Sequence, residues 1–219
     1  VAYTLTTSNV ELTSSSGFAV MLNAADQMVI EGLLNRNGAI AVDSTTFQIV
    51  AEADWNPAQS GNAAATSNTI AVSNVQTPAI SSATYNASTG VLTVTGSNLV
   101  KASGTSNDVD VSKFTFTGEG GVTYTLTNSS DVEITSGTAF TVTLSSTDKA
   151  AINQIVNKNG TSSANGTTYN LAAAEDWAAG ASSAVTVADL TGNGITASSV
   201  ATPTITSATY DASAGALVV

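Results

Sequence analysis

The amino-acid sequence predicts a mainly β fold with one α-helix per repeat, and three observations support this class. First, the sequence repeats itself at a spacing of about 122–125 residues. Second, long stretches alternate Thr or Ser with Val, Ile or Phe, which is typical of strands with one solvated face. Third, each repeat contains a single stretch in which apolar residues recur at helical spacing.

The internal repeat is visible in two pairs of matching segments. VAYTLTTSNVELTSSSGFAVML at 1–22 matches VTYTLTNSSDVEITSGTAFTVTL at 122–144, and SATYNASTG at 82–90 returns as SATYDASAG at 207–215. Only residues 95–121 occur once. Because this period has the size of a domain, it favours independent units joined like beads on a string over a solenoid of small repeats.

The repeat divides the chain into three parts. We expect residues 1–77 to be the C-terminal part of one repeat, 78–202 to be a complete repeat, and 203–219 to be the first strands of the next. The sequence is therefore expected to be an excerpt from a longer tandem array. We call the three parts the N-terminal segment, the central repeat and the C-terminal segment.

The secondary structure of the central repeat follows from its hydrophobic pattern. The residues after Pro78 predict a hairpin that turns at NASTG, and an α-helix is expected after Ser145, with Asp148 completing a capping box and Gly160 as its C-terminal stop. An equivalent helix is expected at Asn23–Gly38. Further strands are predicted for VSKFTFTG, VTYTLT, VEIT and FTVTL, with more strand on either side of a short Ala-rich turn or helix at Trp177.

The opening of the central repeat resembles a known family. TPAISSATYNASTGVLTVTGSNL contains a Pro78–Ile80 phrase followed by Thr95, Gly96, Asn98 and Leu99, and it is similar to the start of immunoglobulin-like modules of the IPT/TIG type. The overall pattern resembles the tandem modules of bacterial secreted repeat proteins, giant adhesins and surface-layer-type proteins. This resemblance implies tandem immunoglobulin-like β-sandwich modules of about 122–125 residues.

Composition excludes several classes of function. Charged residues make up only 10% of the chain, and 16 acidic residues against five basic ones give a net charge of −11. That balance argues against nucleic acid and anionic lipid as partners, because both require clustered Lys and Arg. No apolar run is long enough to predict insertion into a membrane.

The residues available for catalysis are few. The chain has no His and no Cys, which removes Ser-His-Asp triads, thiol nucleophiles and imidazole or thiolate metal ligands. Paired carboxylates, as in glycoside hydrolysis, stay open as an alternative. We expect the protein not to be an enzyme.

Calcium is the candidate cofactor, since Ca²⁺ prefers carboxylate and amide oxygens in loops. The alternative is that these loop residues are solvated acids and turn formers. The candidate ligands are Asp108, Asp110, Glu175, Asp176, Asp189 and Asn193.

Each repeat carries one tryptophan after an aspartate, at Trp55 and Trp177. We interpret both as core residues that pack the helix against the sheet. The alternative is a ligand platform, which requires an exposed Trp177.

These features together predict a structural protein that is secreted or displayed on a bacterial cell surface, as an adhesin stalk, surface layer or filament subunit. Its expected partners are neighbouring copies of itself, joined by strand addition or head-to-tail contacts, with a surface glycan or matrix as a further partner. In particular, residues 203–219 are expected to pair with a following segment or a neighbouring chain. The alternative is a calcium-dependent or carbohydrate-binding adhesion module that acts by multivalency.

Overall fold

The computed structural model describes all residues from 1 to 219 and contains two α-helices and eleven β-strands. The N-terminal segment contains α1 (Ala24–Leu33), β1 (Gln48–Ala51) and β2 (Ala65–Thr69). The central repeat contains β3 (Ala79–Asn86), β4 (Val91–Ser97), β5 (Phe114–Thr117), β6 (Thr123–Thr125), β7 (Ala139–Thr143), α2 (Ser146–Ile155), β8 (Asn170–Ala173) and β9 (Gly194–Ser198). The C-terminal segment contains β10 (Thr209–Asp211) and β11 (Ala216–Val218). The predicted mainly β class is therefore confirmed, and the two α-helices lie in the N-terminal segment and the central repeat.

All seven strands of the central repeat form one sheet in the order β6-β5-β8-β9-β3-β4-β7. Every neighbouring pair is antiparallel except β3 and β9, which run parallel over Ser82–Asn86 and Gly194–Ser198. The hairpin predicted after Pro78 is the pair β3–β4, and it lies between the last strand of the repeat and β7. Strands from the two ends of the repeat are thus joined through this hairpin.

The sheet curves until strands that are distant in its order face each other across the core. Tyr85 of β3 contacts Phe116 of β5, with ring centroids 5.8 Å apart, and Phe114 of β5 lies 6.0 Å from Phe140 of β7. Alternate residues of β5, β7, β8 and β9 are buried, as the alternation of polar and apolar residues predicts. The result is one apolar cluster of 27 buried residues, all of them in the central repeat.

The helix α2 begins where the sequence predicts but is capped differently. The hydroxyl of Ser145 accepts the backbone N–H of Asp148, which is the expected half of the capping box. The other half is absent, because the Ser145 N–H is donated to the Ser129 hydroxyl and the Asp148 carboxylate faces residues 127–129. Gly160 does not end the helix. It lies beyond the cap at Val156 and forms a bridge with Ala197.

Two other sequence predictions differ from the structure. VEIT is not a strand, because Val132 forms only an isolated bridge with Val109 and the Ile134 N–H is donated to the Asp108 carboxylate. The predicted strand at VSKFTFTG begins with a 3₁₀ turn at Val111–Lys113. The region around Trp177 is a turn, which is one of the two alternatives that the sequence predicts there.

The N-terminal segment repeats the local structure of the central repeat. The helix α1 corresponds to α2, and the pairing of Gln48 with Thr69 corresponds to that of Asn170 with Gly194. The bridge between Gly38 and Val72 likewise corresponds to the one between Gly160 and Ala197. However, residues 17–21, which correspond to β7, form no strand.

The C-terminal segment forms a hairpin that pairs only with itself. Thr209, Tyr210 and Asp211 pair with Val218, Leu217 and Ala216, and the whole of 203–219 is exposed. Within one chain, therefore, the expected pairing with a further strand is not formed. Pairing with a second copy of the chain stays a prediction.

A close contact holds α1 against the central repeat. The Lys101 N–H donates to the carbonyl of Met28 at 3.2 Å, and the Asn35 side chain donates to the carbonyl of Gly180 at 3.1 Å. Gly32 lies against the Lys101 backbone, where a built Cβ would overlap the Lys101 carbonyl oxygen. A residue without a side chain is therefore required at this point of α1.

Beside this contact lies a cleft of about 930 Å³ between α1 and the loops of the central repeat. Glu31 is the only acidic residue that lines it, and Arg36 is the only basic one.

Neither α-helix is long and apolar enough to span a bilayer.

We predict that Gly32→Ala loosens this junction although it improves the intrinsic helix propensity of α1. Alanine is favoured over glycine inside a helix by about 1 kcal/mol. The overlap of the new Cβ with the Lys101 carbonyl weakens the contact between α1 and the central repeat. We expect this effect to exceed the gain in helix propensity, because backbone atoms cannot move aside as a flexible side chain can. Amide hydrogen exchange of Lys101, measured by NMR, should become faster in the variant.

The matched control is Gly17→Ala, where a new Cβ meets no atom within 4 Å. This variant should leave Lys101 exchange unchanged. Slower exchange of Lys101 in Gly32→Ala would show that the contact does not hold the junction.

Candidate functional site

The most heavily hydrogen-bonded side chain of the central repeat is the carboxylate of Asp148. Its two oxygens accept the Tyr124 hydroxyl at 2.9 Å and the backbone N–H groups of Asn128 and Ser129 at 3.0 and 2.7 Å. The Ser129 hydroxyl adds a bond of 2.6 Å. Asp148 thus fastens the start of α2 to the loop that follows β6.

Asp26 makes the same arrangement in the N-terminal segment. It accepts the Tyr3 hydroxyl at 2.8 Å and the N–H groups of Thr6 and Thr7 at 2.9 and 2.7 Å. The Asn23 N–H donates to the Thr7 hydroxyl, as the Ser145 N–H donates to Ser129. The two halves of the sequence therefore build the same buried anchor with different neighbouring residues.

These contacts determine the pKa of both aspartates. Burial by itself raises the pKa of Asp148, but the hydrogen bonds from Ser129, Asn128, Thr127 and Tyr124 outweigh it and hold the pKa well below its usual range. Desolvation of Asp26 is outweighed in the same way by bonds from Thr7, Tyr3 and Thr6, so that its pKa is also lowered. Both carboxylates are therefore ionised in the folded protein at neutral pH.

Sequence reasoning identified both aspartates as helix caps but missed their contact with the preceding loop. The signal that was available is the repeated order of Tyr, then two hydroxyl or amide residues, then Asp, as in Tyr3, Thr6, Thr7 and Asp26. A buried carboxylate needs several donors. Each repeat supplies them in the same order, with 23 positions from Tyr3 to Asp26 and 24 from Tyr124 to Asp148.

Asp108 and Asp110, the first two predicted calcium ligands, lie before β5 and accept backbone N–H groups. Asp108 is fully buried, and its oxygens accept the N–H groups of Ala102 and Ile134, each at 2.7 Å. Burial raises the pKa of Asp108, and these two bonds lower it only in part. Asp110 caps the following 3₁₀ turn by accepting the N–H of Ser112 at 3.0 Å.

The other four predicted ligands lie in the loop between β8 and β9. Glu175 accepts the N–H groups of Val187 and Ala188 at 3.0 and 3.1 Å, and Asp176 is exposed at a left-handed backbone position with φ of 64°. Asp189 accepts the Ile80 N–H at 2.9 Å and the Asn193 side-chain amide at 2.9 Å.

The structure therefore brings together Asp189 and Asn193 but gathers no larger set from the predicted ligands. No group of three or more Asp or Glu side chains is arranged to hold a metal ion. The oxygens of Asp108 and Glu175 face backbone N–H groups, whose positive potential opposes a cation at the same place. Calcium coordination stays a prediction of the sequence.

The two tryptophans occupy equivalent positions but differ in exposure. Trp177 is fully buried, stacks on Phe140 with centroids 6.0 Å apart, and donates its Nε1–H to the Val187 carbonyl at 2.7 Å. Trp55 stacks on Phe18 at 5.9 Å but is 43% exposed. The burial of Trp177 agrees with its interpretation as a core residue and counts against a ligand platform.

Trp55 is one of several apolar residues that are exposed in the N-terminal segment. Phe18 is 47% exposed, whereas the corresponding Phe140 is 2% exposed. The same contrast holds for other positions whose central-repeat equivalents are buried, namely Leu12, Val20 and Ile49. This face lacks the covering that β3, β4 and β5 provide in the central repeat.

The C-terminal segment also has an exposed apolar face. Leu217 is 65% exposed and Tyr210 is 66% exposed, whereas the corresponding Leu92 and Tyr85 are fully buried. Equivalent residues therefore differ in exposure between the central repeat and both terminal segments.

We predict that Asp148→Asn lowers the free energy of unfolding by about 2–3 kcal/mol at neutral pH, because the amide cannot accept all the N–H and O–H donors around it. The pKa of Asp148 is lowered in the folded state, so its stabilising contribution is present above about pH 4, the ordinary pKa of an aspartate. That contribution disappears as the pH falls below this value. Urea unfolding from pH 7 to pH 2 should therefore show the two proteins converging in acid.

The control is Asp176→Asn, since Asp176 is exposed and makes no hydrogen bond to another side chain. Its substitution should change stability by less than about 0.5 kcal/mol at any pH. A constant difference between wild type and Asp148→Asn down to pH 2 would contradict the proposed anchoring role.

We also expect a chelator to leave the melting temperature unchanged, because the buried carboxylates already have backbone donors as partners. Melting curves in EDTA and in millimolar Ca²⁺ measure this directly. A melting temperature that rises with Ca²⁺ concentration would instead establish a calcium site. Asp189→Asn would then locate it.

No protein-family model, curated protein or solved structure matches this chain. Its role is therefore inferred from its own geometry. The feature available for that purpose is the structure that both repeats share, above all the anchor at Asp26 and Asp148 and the stacked Phe–Trp pair.

Proposed function

We propose that this chain is part of an extracellular structural protein, an adhesin stalk, surface layer or filament subunit, that extends through tandem β-rich modules. The observation that carries the proposal is the repetition of structural parts without a repeated ligand site. The helix, the aspartate anchor and the stacked Phe–Trp pair all occur twice at equivalent positions.

The use of polar residues supports a scaffold. The carboxylates of Asp108, Asp148 and Glu175 hold backbone N–H groups, and no buried side-chain polar atom lacks a hydrogen-bond partner. Binding and catalytic sites commonly keep polar groups free for a ligand. Here the buried polar groups instead form the hydrogen bonds that hold the loops in place.

We further propose that residues 78–202 form one immunoglobulin-like sandwich module. The contacts of Phe114 with Phe140 and of Tyr85 with Phe116 support this, because they join strands that are not neighbours in the sheet. Two facing layers around one apolar core are the defining feature of a sandwich. The repeat length of about 122–125 residues leaves room for α2 in addition to seven strands.

The cleft beside α1 supports a role without catalysis. Glycoside hydrolysis requires two carboxyl groups that face each other across the substrate. The cleft beside α1 contains one carboxylate, Glu31, and neither His nor Cys exists in the chain. We therefore propose that the protein is not an enzyme.

A calcium-dependent or carbohydrate-binding module was the alternative from the sequence. It requires an aromatic platform or an acidic pocket on the complete unit. Trp177 is buried, and the acids nearest to it, Glu175 and Asp176, do not belong to a cluster of three acids. No observation favours this alternative over the structural function.

The structural proposal predicts that the modules are accessible on the outside of the source cells. Antibodies raised against the folded chain should label intact cells and label them along extended or continuous structures in electron micrographs. An antibody against a cytoplasmic protein provides the control for cell integrity. Labelling that requires permeabilised cells would contradict the extracellular role.

A further inference from the structure

We propose that the parallel pair of β3 and β9 enables the central repeat to withstand tension along the chain, so that the repeat has a mechanical function and is more than a spacer. This inference rests on the proposed structural function, because a stalk, layer or filament transmits force through its consecutive modules. The observation that carries it is the position of the only parallel pair in the seven-stranded sheet.

This pair consists of the first and the last strand of the central repeat. The chain enters the repeat at β3 and leaves it after β9, so tension between the preceding and the following residues acts on these two strands. They are direct neighbours, in register from Ser82 opposite Gly194 to Asn86 opposite Ser198. The shortest path of force through the repeat therefore crosses the hydrogen bonds between β3 and β9.

The parallel direction determines how these hydrogen bonds are loaded. Because both strands run the same way, the start of β3 and the end of β9 lie at opposite ends of the ladder. Tension thus pulls the two strands past each other along their axes, and the evenly spaced bonds of the ladder carry the force together. If the two strands were antiparallel, both attachment points would lie at one end, and the bonds would break one after another.

Both strands lie in the interior of the sheet, where each has a second partner. β3 pairs with β4 along its length. On the other side of β9, Ala197 exchanges two backbone hydrogen bonds of 2.8 Å with Gly160, and the Ile195 N–H donates to the Tyr169 carbonyl at 3.3 Å. Sliding of β3 past β9 therefore also strains the bonds to these outer partners.

The apolar core covers one face of the β3–β9 ladder. Ala83, Tyr85 and Ile195 are buried on this face. The ring of Tyr85 packs edge-on against Phe116, and its hydroxyl donates to the Asn153 side chain at 2.8 Å. Hydrogen bonds are stronger where water is excluded. The core thus keeps water away from one side of the bonds that carry the tension.

The exit from the last strand is held in the same way in both repeats. The Val200 N–H donates to the Asn159 side chain at 2.9 Å, and the Val75 N–H donates to the Asn37 side chain at 3.0 Å. Tension from the following residues must break this bond before it reaches the strand. Its repetition shows that the exit belongs to the shared structure of the repeats.

Single-molecule force spectroscopy with two pulling geometries tests the proposal. The chain has no native cysteine, so handles can be attached at chosen positions. The double variant Gln76→Cys, Thr204→Cys places them at exposed sites just before and just after the central repeat. Tension then has the direction that it has in a tandem chain. We expect unfolding at high force, in one step that releases the whole repeat.

The matched control is the double variant Gln76→Cys, Thr191→Cys. Thr191 is exposed and precedes β9, so both handles lie at the same end of the β3–β9 ladder. Tension then separates the two strands one bond at a time. The unfolding force should be several-fold lower than in the first geometry at the same pulling speed. Equal forces in the two geometries would overturn the proposal.

A pair of substitutions locates the barrier within the repeat. Ile195→Ala removes a buried side chain of β9 and should lower the unfolding force in the first geometry. Asp148→Asn weakens the anchor of α2, which lies outside the path of force, and should leave that force nearly unchanged although it lowers stability in urea. This difference is expected because forced unfolding depends on the unfolding barrier. The reverse order of effects would contradict the proposed role of β9.

The two pulling geometries need no substitution in the core, so they decide the proposal even if Ile195→Ala does not fold. They are also independent of the surface-labelling experiment. Equal unfolding forces would refute the mechanical role and leave the extracellular location untouched. Labelling that requires permeabilised cells would refute the location and leave the measured forces unchanged.

Discussion

The structure depends on one constraint, which is that the hairpin β3–β4 must lie between β9 and β7 for the apolar core to close. In the central repeat this position is filled, and Trp177, Phe140 and Leu92 are buried. In the N-terminal segment the same helix, anchor and Phe–Trp pair are present, but the hairpin position is empty and Trp55 is exposed. The comparison separates two contributions to folding. The helix and its anchor are formed in both segments, whereas the core is buried only where strands from the opposite end of the repeat cover it.

Several acidic side chains of this protein hold its loops in place by accepting backbone N–H groups. Counting acidic residues does not reveal this role. A net charge of −11 and several paired acids are compatible with cation binding, and they make the loops candidate calcium sites from the sequence. In the folded chain Asp108, Asp148 and Glu175 each accept two or more backbone N–H groups. A carboxylate can replace a missing strand as an acceptor where the chain leaves the sheet.

Much of the fold was predictable because the relevant signals are local. The alternation in 79–97 predicts the hairpin, and Ser145 with Asp148 marks the first turn of α2. The prediction of a strand at VEIT was wrong for a reason that no local pattern contains, since Ile134 finds its acceptor on Asp108, which lies 26 positions away in sequence. The same limit applies to the candidate site. The six predicted ligands were chosen by residue type and spacing along the chain, and tertiary contacts distribute them over separate loops.

The sequence alone determined the repeat, the mainly β class, the single helix of each repeat and the absence of His and Cys chemistry. These properties depend on periodicity and residue type, and both are given fully by the order of residues along the chain. Only the tertiary structure decided that Trp177 is buried while Trp55 is not, and that Tyr210 and Leu217 form an uncovered apolar face. The physical reason is that burial depends on which strands meet across the core. Two identical sequence patterns therefore reach different environments when only one of them finds its partner strands.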